Sequence, residues 1–239
     1  MRLLLLAAVL CSWAGWVSPG RAGSFEIAPT TIELSGDQPG VVQVTNNGDD
    51  PVTVQVQPFD WSQDGAGDQL TPSRSLQVSP PFATIGPRQK QIIRMRVRGD
   101  SGGGETAHRL VISELPATER QAGTGVRVLL RFSVPVFVAS GETHPAELAW
   151  SAQETADGLL VSVKNLASDR SKLSDLTIAR PEGAPAPLAA MTYVLGGASQ
   201  SWRLPRADWT GASLVIVRGR DARTGEALDV PISLGRADE

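Results

Sequence analysis

Short apolar runs recur along this chain, broken by Gly, Pro, Asn and Asp, and where they are longest they alternate with polar residues. In Val52-Thr53-Val54-Gln55-Val56-Gln57 the valines fall on one face and the polar residues on the other. A period of two places successive side chains on opposite faces of a β-strand, so this segment predicts a sheet with one buried face. The same reasoning predicts strands at Phe25–Ile27, Val41–Val44, Gln91–Val97, Ala107–Leu115 and Val126–Val138. In the last of these, Val126, Val128, Leu130, Phe132 and Val134 share one face, while Arg127, Leu129, Arg131 and Ser133 share the other. Pro135 interrupts the ladder late in that run, which suits an edge or exit position. Asn46-Asn47-Gly48-Asp49 tolerates positive φ and predicts a hairpin-type connection between the strands on either side of it.

After Val138 the pattern lapses. Residues 139–145 read as a linker, and short strands then resume at Glu147–Ser151, Leu159–Lys164, Leu176–Ala179, Met191–Val194, Ser201–Leu204, Ser213–Arg218 and Leu228–Ser233. About seven strands on each side of one linker predict an all-β protein of two sandwiches of immunoglobulin-like size, spanning 23–138 and 146–239.

The first 22 residues stand outside that organisation. Met1-Arg2, the apolar run Leu3–Leu10, and Gly20-Arg21-Ala22 have the layout of a secretory signal peptide cut after Ala22. No later segment approaches the roughly 20 apolar residues of a membrane span. Cys11 is the only cysteine and lies within the leader, so the exported chain has no disulfide and rests on its cores alone. Cleavage removes two arginines and leaves 20 basic against 25 acidic residues, a net charge of −5. That balance gives nucleic-acid binding no support.

Candidate catalytic chemistry is sparse. His108 and His144 are the only histidines, and no HExxH, GxSxG or GxxxxGK[ST] motif occurs. Gly102-Gly103-Gly104 reads as a strand connection, because no helix start follows it. Asp60, Asp64 and Asp68 lack the calcium-loop spacing and read as a solvated turn. Trp61, Trp150, Trp202 and Trp209 are scattered and read as core plugs rather than a sugar platform. No cofactor or metal is expected, and nothing calls for ATP.

The order of several weak motifs is more specific than any one of them. Phe25-Glu26-Ile27-Ala28-Pro29 is followed by Val42-Gln43-Val44-Thr45-Asn46-Asn47-Gly48, Phe59-Asp60-Trp61, Ser79-Pro80-Pro81, Gly86–Arg94, His108-Arg109-Leu110, Glu114-Leu115-Pro116 and Arg131–Val138. Val163-Lys164-Asn165-Leu166 and Tyr193-Val194-Leu195-Gly196-Gly197 continue the series in the second half. This order resembles the periplasmic pilus-assembly chaperones, and within them the archaic, spore-coat-U-associated branch of the chaperone–usher family. The resemblance implies two immunoglobulin-like domains in a boomerang arrangement, in the periplasm. It also implies a partner that is an incomplete pilus or fimbrial subunit, and an outer-membrane usher that receives it. The chaperone in such a family lends a strand to the subunit, a recognised mode of strand addition.

On this resemblance the donor positions are Val126, Val128, Leu130 and Phe132. The face they share could instead pack into the first domain's own core. Typical members anchor the subunit's terminal carboxylate with a first-strand arginine and a donor-strand lysine. Here the first strand reads Pro29-Thr30-Thr31-Ile32, with no arginine. The candidate anchors are therefore Arg109, Arg94 and Arg131, with Arg96 sharing the face of Arg94. A guanidinium can grip a carboxylate through two parallel N–H bonds. Two other classes fit a two-sandwich exported chain: a self-contained adhesive or structural protein, and a carbohydrate-active enzyme with a two-carboxylate site.

Overall fold

A computed structural model describes residues 25–35, 38–65, 67–98, 104–116, 128–139, 145, 147–206 and 209–234. Among them every regular element but a single helical turn at Arg206 is a β-strand. The N-terminal leader lies outside the described residues.

The first sandwich contains two sheets. One has four strands in the order β1 (Phe25–Ala28), β3 (Gly40–Asn46), β8 (Lys90–Val97) and β6 (Leu76–Ser79). The other runs β2 (Ile32–Ser35), β10 (Arg131–Ala139), β9 (Thr106–Glu114), β4 (Val52–Gln63) and β5 (Asp68–Pro72), with β7 (Phe82–Ile85) also on β4. Alternation explains the core between them. Val42, Val44, Val54, Val56, Ile93, Met95, Leu110, Ile112, Val134 and Val136 all point inward and are buried. Fully burying each such side chain contributes about 1.5–3 kcal/mol before chain entropy is subtracted.

The opening segment is divided between the two sheets. β1 pairs antiparallel with β3, the chain turns at a cis Ala28–Pro29 bond, and β2 then pairs parallel with β10.

The expected hairpin at Asn46–Asp49 is not formed. β3 and β4 belong to different sheets, so this connection crosses the sandwich. The polar residues there have another role. The buried Asn46 side chain donates through Nδ2 to the carbonyls of Asp50 (2.8 Å), Ile85 (3.0 Å) and Gly86 (3.1 Å), and its Oδ1 accepts from Gly48 N at 2.9 Å. One buried amide thus satisfies backbone groups where an exposed loop crosses between the sheets. Asn165 repeats the arrangement in the second sandwich, donating to Asp169 O and Val194 O and accepting from Ala167 N.

The second sandwich has a three-stranded sheet, β11 (Leu148–Thr155), β12 (Gly158–Asn165) and β15 (Ser199–Pro205). It packs on a four-stranded one, β14 (Ala186–Val194), β13 (Ser171–Ala179), β16 (Leu214–Asp221) and β17 (Ala227–Ser233). Trp209 is buried in its core. Trp150 on β11 and Trp202 on β15, scattered in sequence, meet across the intervening β12 with ring centroids 6.1 Å apart and stack at 15°. They cover the same core as partly buried plugs.

Four strands of the first sandwich went unread in the sequence: β2, β5, β6 and β7. Each is only four or five residues long, and β5 is exposed throughout, so the brief alternation of β2 and β6 is too short to stand out from a loop. Asp60 is not in a turn either. β4 continues through Trp61 to Gln63, and only then does the chain reverse into β5.

Candidate functional site

β10 has an unfinished edge. On one side it pairs with β9 from Arg131 to Val138. On the other, β2 covers only Val136 to Ala139. No described strand pairs with that side from Arg131 to Pro135.

The direction of the backbone groups follows from one hydrogen bond. Glu114 N donates to Leu130 O at 2.8 Å. Backbone groups in an antiparallel ladder alternate, so Leu130, Phe132 and Val134 turn their N–H and C=O toward β9. Arg131 and Ser133 turn theirs outward. Pro135 also faces outward, so its missing N–H costs the β9 ladder nothing.

The side chains alternate across the other axis. Leu130 and Phe132 are half-buried and pack against the first core, and Phe132 meets Phe25 edge-on at 5.1 Å. Arg131 and Ser133 are exposed on the opposite face. Val128 and Leu129, just before the strand, are exposed apolar residues at 57% and 41%. The regular strand is shorter than the alternation suggested, beginning at Arg131 rather than Val126. Val126 lies outside the described residues.

The three candidate arginines are not brought together. Arg94, with Arg96, lies on the outer face of the four-stranded sheet, across the sandwich from β10. Arg131 is exposed at the start of the open edge. Arg109 is opposite Pro135, where the open edge ends. Its guanidinium sits 3.7 Å over the Trp61 ring, and its Nη2 reaches Asp68 at 3.5 Å.

Arg109 belongs to a junction between the two sandwiches. Trp61 and Phe137, on the outer face of the second sheet, pack on Tyr193 and Leu195 of the other sandwich. The three rings lie 5.3–5.8 Å apart. Three cations border them: Arg109 over Trp61, Arg170 over Phe137 at 3.6 Å, and Lys172 5.6 Å from Tyr193. Gln63 clamps the same strand end, donating to Tyr193 O (3.0 Å) and accepting from Leu195 N (2.9 Å). Gly196 is required here, because a Cβ would lie 2.1 Å from Ser168 O.

Arg170 was missed in sequence and is the strongest charged element of the junction. Its side chain is 5% exposed and binds Glu33 of β2 and Glu105 of the β8–β9 connection, both in the first sandwich. Glu105 is itself 7% exposed and also accepts from Arg170 N. Burial pushes the Glu105 carboxyl above its ordinary range, and Arg170 pulls it back only in part. An arginine between a bend and the first residue of β13 gives no periodic signal, so only the approach of the two sandwiches reveals it.

A groove of about 550 Å³ opens beside this junction, with Asp60, Ser62, His108 and Gly197 among its walls. His108 is buried, with Nδ1 2.9 Å from Asp60 Oδ1. Burial pushes its imidazole below the usual value, against the pull of Asp60. The folded state therefore resists a proton that the unfolded chain accepts. The His108 contribution is complete above about pH 6.5 and is lost as pH falls from there through the lowered folded value. His108→Gln is expected to flatten the acid side of a plot of melting temperature against pH; an unchanged slope would refute this.

The fold defines a two-sandwich, immunoglobulin-like protein with one sheet strand left half-covered. The family described as Pili and flagellar-assembly chaperone, PapD N-terminal domain, matches residues 24–143, and the chain belongs to that family. It is a chaperone by family and not an enzyme.

Solved structures share the whole fold. The CsuC–CsuE chaperone–tip adhesion subunit complex of archaic Csu pili from Acinetobacter baumannii matches at a TM-score of 0.68 and 23% identity, over 89% of this chain and 99% of that one. The Salmonella enterica SafA pilin–SafB chaperone complex matches at 0.60 and 16%, over 89% and 96%. The E. coli chaperone DraB matches at 0.59 and 16%, over 88% and 99%. No curated protein sequence matches the chain.

Proposed function

We propose that this protein is a periplasmic chaperone of the archaic branch that holds a pilus subunit by donating β10 to it, and delivers it to an outer-membrane usher. The observation that carries this reading is the unpaired β10 edge from Arg131 to Pro135, continued by exposed Val128 and Leu129. An incomplete subunit has the complementary defect, an apolar groove beside a row of unpaired backbone groups. The CsuC–CsuE and SafB–SafA complexes, each a chaperone with its subunit, support the assignment.

Val126, Val128, Leu130 and Phe132 then supply the side chains that fill the groove. At Leu130 and Phe132 this face is continuous with the chaperone's own core, so the client would extend that core rather than form a separate contact. Arg109 is the candidate for the client's terminal carboxylate, because it stands opposite Pro135 and its 3.5 Å contact with Asp68 can be exchanged. Arg131, at the other end of the edge, is the second candidate. Arg94 is on the far sheet. Residues 1–22 direct export, consistent with a family match that begins at residue 24, and the linker expected at 139–145 joins the domains, its first residue, Ala139, closing β10.

The test is co-expression of the chain from Gly23 with the small exported β-rich protein encoded beside it, followed by pull-down and gel filtration. A soluble one-to-one complex is expected, with the subunit aggregating when alone. Val128→Asp should reduce capture at least about tenfold, since one apolar anchor is lost and a charge is buried. It should leave the chaperone's melting temperature within about 1 °C, because an exposed substitution costs little. Undiminished capture by Val128→Asp would remove this residue from the client interface. A subunit that stays soluble alone would remove the need for a holding function.

A further inference from the structure

The outer face of the four-stranded sheet has a charge distribution that neither the fold nor client holding explains. Along β8 the inward residues are Ile93, Met95 and Val97, and the outward ones include Lys90, Arg94 and Arg96. Arg98 follows at the next outward position, its backbone N held by Ser75 O at 2.9 Å. All four are exposed, and none makes an ion pair among the described residues. The exposed Arg88, just before this strand, does, to Asp49 at 2.9 Å.

The neighbouring strands offer no compensation. Arg94 lies between Val41 and Ser79, and Arg96 beside Gln77. The only carboxylate facing outward on this sheet is Glu26, with Thr45 between it and Lys90. Bases two residues apart on one strand face are about 6.7 Å apart and repel one another. This is a concentrated positive patch on a chain whose net charge is −3.

We infer that this face docks on an anionic phospholipid surface. Charge complementarity requires an anionic partner, and the shape of the face selects a planar one. The bases stand in one row on a pleated sheet face, and Val41, 51% exposed, stands beside Arg94. An apolar residue among bases is the pattern of an interfacial contact. The rest of the acidic molecule does not forbid this, because repulsion beyond a Debye length of about 8 Å is screened. The patch is across the sandwich from the sheet that carries the β10 edge and the interdomain junction. Docking would therefore leave the client edge open, and it does not depend on the client assignment.

The experiment uses purified protein from Gly23 onward, which contains every described strand and lacks the apolar leader. It is sedimented with vesicles of about one-third phosphatidylglycerol in phosphatidylcholine, and with phosphatidylcholine alone. Binding to the anionic vesicles only is expected, weakening from roughly 50 mM to roughly 500 mM salt as screening grows. R94Q/R96Q should lower the partition coefficient by on the order of ten- to thirtyfold, from two lost juxtamembrane charges. R203E, an exposed arginine change in the second sandwich, should lower it less than about threefold. Equal binding to both vesicle types, no binding to either, or full binding by R94Q/R96Q would each overturn the inference; absence of vesicle binding would leave the face to an acidic protein. Unchanged melting temperatures establish that the variants are folded.

Discussion

Arg170→Ala is expected to lower the stability of the junction by about 3–5 kcal/mol, the usual cost of removing one partner from a buried ion pair. The loss comes mainly from Glu105. Its carboxylate is 7% exposed and would lose both the opposing charge and the guanidinium donors. Glu33 is 70% exposed and can return to water, so its pair adds at most about 1 kcal/mol. For a chain of this size the change corresponds to a fall of roughly 6–20 °C in melting temperature.

The pH dependence gives the prediction a second readout. Without Arg170, Glu105 can escape its burial only by taking up a proton. Its folded pKa, already raised by burial, rises further while the unfolded value stays near the ordinary 4.5. A group with a raised folded pKa favours folding below the unfolded value and loses that contribution as pH rises through the folded one. The variant should therefore recover part of its deficit near pH 5 and show it fully at pH 8. Arg170→Ala melting within about 2 °C of the parent at pH 8 would show that the sandwiches are held by the aromatic contact and the Gln63 hydrogen bonds without the ion pair.

Ser133→Pro is the second change with a large expected effect, and it acts on function rather than stability. The Ser133 backbone faces the open side of β10, so removing its N–H takes nothing from the β9 ladder. The same logic already accommodates Pro135 two residues on. The chaperone should melt within about 3 °C of the parent, whereas capture of the subunit should fall by at least about tenfold, the cost of an acceptor left unpaired on a buried ladder. Ser133→Ala keeps the N–H and should capture normally. Normal capture by Ser133→Pro would mean that the client does not pair along this edge, whatever else it touches.

Much of this architecture was legible in the sequence wherever a strand has one wet face and one dry one. Val52–Gln57 and Gln91–Val97 announced themselves by alternation, and the long run ending at Val138 named the strand that proves to be unfinished on one side. Three things were not legible, each for a physical reason. β2 is four residues long and pairs in parallel with a strand far away in sequence, so its single Ile32-Glu33-Leu34-Ser35 alternation is too short to mark it. The Asn46 turn has hairpin chemistry, but its side chain instead satisfies a crossing loop. Arg170, Glu33 and Glu105 are far apart along the chain, and their meeting depends on how two domains dock. Among the candidate anchors, sequence could place Arg94, Arg109 and Arg131 on strands, but it could not say which sheet each strand joins. That alone separates Arg94 from the edge.

The divided opening segment bears on when the protein can act. Ile32 pairs with Val136, so nearly the whole first sandwich must be closed as one loop before β2 and β10 can meet. Contacts so distant along the chain are gained late and slowly in folding. The same closure defines where the open edge stops. A chain whose β10 has not yet met β9 and β2 has no half-covered strand to offer. If β10 is lent as proposed, competence to receive a client is a property of the completed topology, and the protein is its own checkpoint: it can lend no strand until it has finished using the rest.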